Sequence, residues 1–125
     1  MNITKTDVEK YLSEVFSAVR AGRYQISSRQ KNQDIYIDYV FTEDDAKNVI
    51  LSLTADDFSD AVQNDHPQHP EEILYIFGKD IKLLPRYGEA EEKVSLYIKY
   101  NKLTNRYVVV ISLHKQEYPL TYKFK

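Results

Sequence analysis

The chain contains no cysteine, which removes structural disulfides, thiolate metal ligands and a cysteine nucleophile together, and suits a reducing compartment. Glycine is almost as scarce. With three in 125 residues, there is no glycine-rich loop to cradle a phosphate. Gly78, in Phe77-Gly78-Lys79-Asp80, stands alone between strand-like runs, where a turn or bulge accounts for it. No Gly-x-Ser-x-Gly occurs, so acyl transfer has no candidate nucleophile. Apolar runs are short: none approaches the roughly 20 residues of a membrane span, and the opening MNITKTDVEK lacks the basic-then-apolar order of a signal peptide. The expectation is one soluble cytoplasmic domain, residues 1–125, with no membrane partner.

Net charge is also small, at −2, yet it is unevenly spread. Residues 1–70 carry seven Lys/Arg against twelve Asp/Glu, and residues 71–125 carry ten against seven, so the halves are −5 and +3. From Lys93 to Lys125 there are seven basic residues and one acid, Glu117, among Tyr97, Tyr100, Tyr107, Tyr118, Tyr122 and Phe124. Cations neutralise phosphates and ring faces stack on bases, so such a surface suits nucleic acid, although solvated strands carry Lys and Tyr for no such reason.

Val8, Tyr11, Leu12, Val15, Phe16 and Val19 recur at helical spacing, with Thr6 and Glu9 as a capping box and Gly22 as the stop. Residues 23–41 are read as a second helix, capped by Ser27 or Ser28, against the strand-like alternation of Ile35, Ile37 and Tyr39. Thr42 followed by Glu43, Asp44 and Asp45 starts a third helix, whose apolar face is Val49, Ile50 and Leu53. Thr54 to Asp57 caps a short turn that aims Phe58 and Val62 inward. His66-x-x-His69 beside Asp65 has metal-ligand residue types, but two prolines keep Asn64–Pro70 irregular and no further ligand is evident. No metal or cofactor is expected.

From Glu72 the pattern changes to strands: ILYIFGKDIKLL, VSLYIKY, RYVVVISLH and a closing YPLTYKF. The fold class is therefore α+β, N-terminal helices packed on an antiparallel sheet formed by residues from about 73 to 124. In the clearest hairpin, a two-residue turn at Leu103-Thr104 makes Ile98 face Val109 and Leu96 face Ile111. Tyr97 and Lys99 then share the other face with Val108, Val110, Ser112 and His114, and His114 lies near Lys93, about 13 Å along the strand from Tyr97. Val15, Phe16, Ile50, Leu96, Ile98, Val109 and Ile111 are the expected core.

The apolar run Val108–Leu113 ends on His114 and Lys115. Together with Tyr97, Lys99 and Tyr118, these are the residue types that cleave RNA without a metal. The RNA's own 2′-hydroxyl is the nucleophile, so the protein must take a proton there, return one to the leaving 5′-oxygen, and stabilise charge on the phosphorane. A histidine serves either transfer, and Lys or Arg holds phosphate.

Read in order, YQISSRQKN from Tyr24, ILSLTADDF at 50–58, FGKDI at 77–81, LYIKY at 96–100 and VISLHKQEYPLTYKF at 110–124 resemble the MqsR-like toxins of bacterial type II toxin–antitoxin modules. The resemblance runs over nearly the whole chain from Tyr24 onward. It implies a RelE-like fold, endoribonuclease (mRNA interferase) activity on RNA and a cognate antitoxin as partner. The family's Tyr-hydrophobic-Lys strand motif falls on Tyr97 and Lys99, and its position after the Ile-Ser-aromatic strand falls on His114. A lysine of the best-known branch falls near Asp60 here and a glutamine on Ile76; these departures count against activity, and either Lys79, Arg29 and Lys115, with Tyr118, stand as the RNA-binding set or the activity is lost. The other reading is a non-catalytic interaction or regulatory module whose basic, Tyr-rich sheet face receives an acidic partner or nucleic acid.

Overall fold

The structure is a computed structural model and describes residues 2–125. In chain order it contains α1 (Lys5–Arg20), β1 (Tyr24–Ile26), α2 (Gln30–Asp38), α3 (Glu43–Leu51), a single 3-10 turn (Ala55–Asp57), β2 (Phe58–Gln63), β3 (Ile73–Leu83), β4 (Glu92–Lys102) and β5 (Val108–Lys115). The strands form one sheet in the order β1-β5-β4-β3-β2. All its pairings are antiparallel except that of β1 with β5. The α+β architecture expected from the change of periodicity is present, with helices toward the N-terminus and sheet toward the C-terminus. No helix among the described residues is long and apolar enough to cross a membrane.

Local chemistry explains where the helices begin. The capping box of α1 is Thr4 with Asp7, not Thr6 with Glu9: the Thr4 amide donates to Asp7 Oδ2 (2.9 Å) and the Asp7 amide donates to Thr4 Oγ1 (3.1 Å). The earlier start places Ile3 and Val8 at the two positions of a hydrophobic staple, and both join the core. Gly22 stands at φ +76, a left-handed turn that costs glycine nothing. Thr42 and Asp45 cap α3 as the acids of its first turn suggest. Neither Ser27 nor Ser28 caps α2, whose N-cap is Arg29 without a side-chain bond.

Three segments depart from the sequence reading. Tyr24–Ile26 is a strand, too short to show alternation, and β2 continues the Thr54 turn as a sheet edge. The closing YPLTYKF is not a strand. It crosses the sheet as a strap: the Lys123 amide donates to the Phe58 carbonyl (3.1 Å), Lys123 Nζ reaches the Ile3 carbonyl (2.7 Å), and Phe124 stacks on Phe58. Gly78 lies beneath this strap, where a β-carbon would collide with the Tyr122 hydroxyl and sit 2.8 Å from Leu120 Cδ1.

The β4–β5 hairpin keeps its expected faces only in part. Ile98 pairs with Leu113 and Leu96 with Lys115, because the turn spans 103–107 rather than two residues, closed by the Leu103 amide donating to the Tyr107 carbonyl. Between Lys99↔Ser112 and Tyr100↔Val110 the register slips at Ile111, a β-bulge. The extra residue inverts the alternation midway along β5. Val108, Val110 and Leu113 are therefore buried, while Val109 and Ile111, expected in the core, are half-buried. Val94, Leu96, Ile98 and Tyr100 are buried as one face of β4. They meet Val8, Val15, Ile35 and Ile50 from the three helices, and Phe16 packs at the margin.

Asn32, on α2 and wholly buried, holds the bulge. Its Nδ2 donates to the carbonyls of Ser27 and Ile111, and its Oδ1 accepts from the Leu113 amide, each at 2.9 Å. Where β1 ends, one carboxamide thus continues the ladder along β5 and satisfies the groups that the slipped register leaves open.

Candidate functional site

Because the bulge inverts β5 after Val110, Ser112 and His114 face the side of the sheet opposite the helices, beside Tyr97 and Lys99 of β4. Two cross-strand rows result: Gly78, Tyr97 and His114 form one, and Asp60, Ile76, Lys99 and Ser112 form the next. The expected separation of His114 from Tyr97 is overturned. The two residues are directly opposite, their rings stacked with centroids 5.3 Å apart and planes 17° from parallel.

A groove of about 180 Å³ runs over these rows, lined by Arg29, Lys31, Tyr97, Lys99, Ser112, His114, Glu117 and Tyr118. Arg29 enters from the start of α2, its Nη1 donating to Ser112 Oγ at 3.4 Å. Lys31 is ion-paired with Glu117, which holds that carboxyl below its ordinary value. Among the described residues no carboxylate lies within ion-pair distance of Arg29 or Lys99. Burial, and then repulsion by Arg29, lowers the Lys99 ammonium from its usual range, with Asp65 opposing. Burial chiefly raises the Tyr97 phenol, which therefore stays protonated at neutral pH.

His114 Nδ1 lies 2.7 Å from the Lys115 carbonyl. A carbonyl only accepts, so Nδ1 carries the hydrogen and donates it, and the neutral ring keeps its lone pair on Nε2. The strand that carries it is held on one edge by Asn32 and on the other by β4, so the imidazole is presented on rigid backbone.

Of the residues singled out in the sequence, His114, Tyr97, Lys99, Arg29 and Tyr118 converge on this groove. Lys79 and Lys115 do not. Lys79 pairs across from Leu96 on the helix side and meets Asp57 Oδ2 at 3.4 Å and the Ser52 carbonyl at 3.3 Å. Lys115, also opposite Leu96, lies with its Nζ over the Tyr39 ring at 5.6 Å. The strand period puts both lysines out of phase with Tyr97. Lys31 and Glu117 escaped the sequence reading, which placed Ser112 on this face but gave it no role. Ser112 follows from the parity of His114, whereas Lys31 and Glu117 come from a helix and a post-strand turn whose approach no local pattern encodes.

Asp60 and Ile76, where the sequence departs from the pattern it resembles, stand in the same row as Lys99 and Ser112. At the far end of β3, the His66 and His69 rings are 5.4 Å apart, and ligand atoms of His69, Glu71 and Glu72 lie within 4.8 Å of one another. Glu72 Oε1 is occupied by the Asn64 and Asn101 amides. No protein-family model matches the chain, and no curated protein matches it.

Proposed function

We propose that the groove binds RNA and cleaves it without a metal, the chain acting as an MqsR-like toxin whose RNA-cleaving face is what a cognate antitoxin must restrain. The observation that carries the reading is the stacked Tyr97–His114 pair, with Nε2 of the imidazole unengaged beside two cations that lack carboxylate partners. Arg29 and Lys99 hold the scissile phosphate, and Tyr118, exposed at the rim, offers a face to a neighbouring base. The 2′-hydroxyl gives its proton to His114 Nε2 as O2′ attacks phosphorus. The bond from phosphorus to O5′ breaks, and O5′ takes a proton from the Lys99 ammonium, leaving a 2′,3′-cyclic phosphate and a 5′-hydroxyl.

The non-catalytic alternative uses the same basic face and differs only in asking no proton transfer of His114. The test is single-turnover cleavage of a mixed-sequence RNA in chelator. Wild type cleaves, and His114→Ala is slower by about a hundredfold or more, the scale of a lost general base, with its thermal midpoint kept. Equal rates, or an inert wild type, would leave only the binding module. Growth arrest on expression, relieved by the product of the adjacent reading frame, tests the toxin–antitoxin part.

A further inference from the structure

We propose that a second cavity, at the opposite end of β5 from His114, is a phosphate-binding site built on Arg23 and Arg106. The cavity, about 490 Å³, is lined by Glu14 and Ser17 of α1, by Arg23, and by Lys102, Leu103, Thr104 and Arg106 of the β4–β5 turn. Three observations converge on an anion. Its one carboxylate, Glu14, is already bound to Lys102, so both guanidiniums are left without an acidic partner among the described residues. Arg23 Nε donates to the Arg106 carbonyl at 3.4 Å, which orients the guanidinium and ties the two arginines together. Arg106 itself stands at φ +63, the one described non-glycine residue in the left-handed region.

That last position is where a turn ordinarily takes glycine or asparagine, because any β-carbon there crowds the following carbonyl oxygen. A strained arginine, unpaired and facing a cavity, has a reason to be there if its side chain binds something. Planar guanidiniums match phosphate oxygens bidentately, and Ser17 and Thr104 add neutral hydroxyl donors. The ligand is a phosphate group, carried by a nucleotide or by an RNA chain.

The experiment is an amide-resolved NMR titration of the whole chain with inorganic phosphate, adenosine diphosphate and a short 2′-O-methyl RNA, repeated with Arg106→Gly and Arg23→Gln. Saturable shifts at Ser17, Arg23, Thr104 and Arg106 are expected. Response to the diphosphate identifies a nucleotide site, and response to the oligomer alone identifies an RNA contact. Arg106→Gly weakens binding about tenfold, the worth of one good charged contact, while raising the thermal midpoint by relieving the backbone. Arg23→Gln weakens it without that gain. Shifts confined to the amides around Arg29 and Lys99, no shift at all, or unchanged affinity in both variants would overturn the proposal.

Discussion

Tyr97 and His114 face each other across β4 and β5 with their rings stacked, centroids 5.3 Å apart. The contact fixes the imidazole plane from one side while the Lys115 carbonyl fixes its tautomer. Because burial keeps the phenol protonated and makes it a poor acid, the ring of Tyr97 matters more than its hydroxyl. Tyr97→Phe should keep the single-turnover cleavage rate within a few-fold, and Tyr97→Ala should lower it much further. A Phe variant as slow as His114→Ala would instead make the hydroxyl a proton relay.

Asn32 gives a second expectation. Replacing it with leucine leaves the Ile111 carbonyl and the Leu113 amide buried without partners. Each unsatisfied group costs about 1–3 kcal/mol, so Asn32→Leu should lower unfolding stability by roughly 3 kcal/mol in urea. Since the bulge aims Ser112 and His114, whatever variant folds should also cleave RNA more slowly than its loss of folded population explains.

How much of this was legible beforehand divides at that bulge. Helix α3 could be read because Thr42 and its following acids are a local signal, and β4 because Val94, Leu96, Ile98 and Tyr100 alternate without interruption. In β5 a strict period of two, counted back from His114, put Val108 and Val110 on the groove face. The Asn32 carboxamide, 81 residues from Leu113, makes the inversion possible. The shared face of Tyr97, Lys99, Ser112 and His114 was right because the error lay upstream of the slip. Lys79 and Lys115 fall outside the groove for a simpler reason: each pairs with Leu96, one position out of phase with Tyr97.

Gly78 makes room for the strap. Gly78→Ala would push a methyl into the Tyr122 hydroxyl and against Leu120. Overpacking of this kind costs about 1–3 kcal/mol, and here the strap can lift instead of β3 bending. The expected outcome is a modest fall in thermal midpoint with a large gain in amide exchange and protease sensitivity confined to residues after Gln116.

The tyrosines set the alkaline limit. Burial raises the phenols of Tyr11, Tyr36, Tyr75 and Tyr100 above the ordinary 10.0, that of the fully buried Tyr100 well above it. A raised folded value means that the unfolded chain loses its protons first. The stability they contribute is therefore complete below about pH 10 and is lost as pH rises toward the folded values. Unfolding followed by tyrosinate absorbance should be cooperative above that point. The Tyr100 hydroxyl is buried without a hydrogen-bond partner, so Tyr100→Phe should stabilise by about 1 kcal/mol at neutral pH and shift alkaline unfolding to higher pH.

Lys99 has two separable duties in the proposed reaction, holding charge and giving a proton. Its ammonium is lowered by burial and by Arg29, which brings it nearer to an acid useful at neutral pH. Lys99→Arg keeps the charge but gives up no proton, since guanidinium remains protonated under all these conditions. Lys99→Met keeps neither. Both should cleave ordinary RNA slowly, while RNA affinity falls in the Met variant alone and loses part of its salt dependence there. A substrate with sulfur in place of the bridging 5′-oxygen settles the proton, because a thiolate leaves without one. It should restore Lys99→Arg to near the wild-type rate, leave His114→Ala slow because the 2′-hydroxyl still needs a base, and rescue Lys99→Met only in part. If sulfur rescues none of the three, Lys99 serves the phosphate alone and the proton of the leaving oxygen comes from elsewhere in the groove.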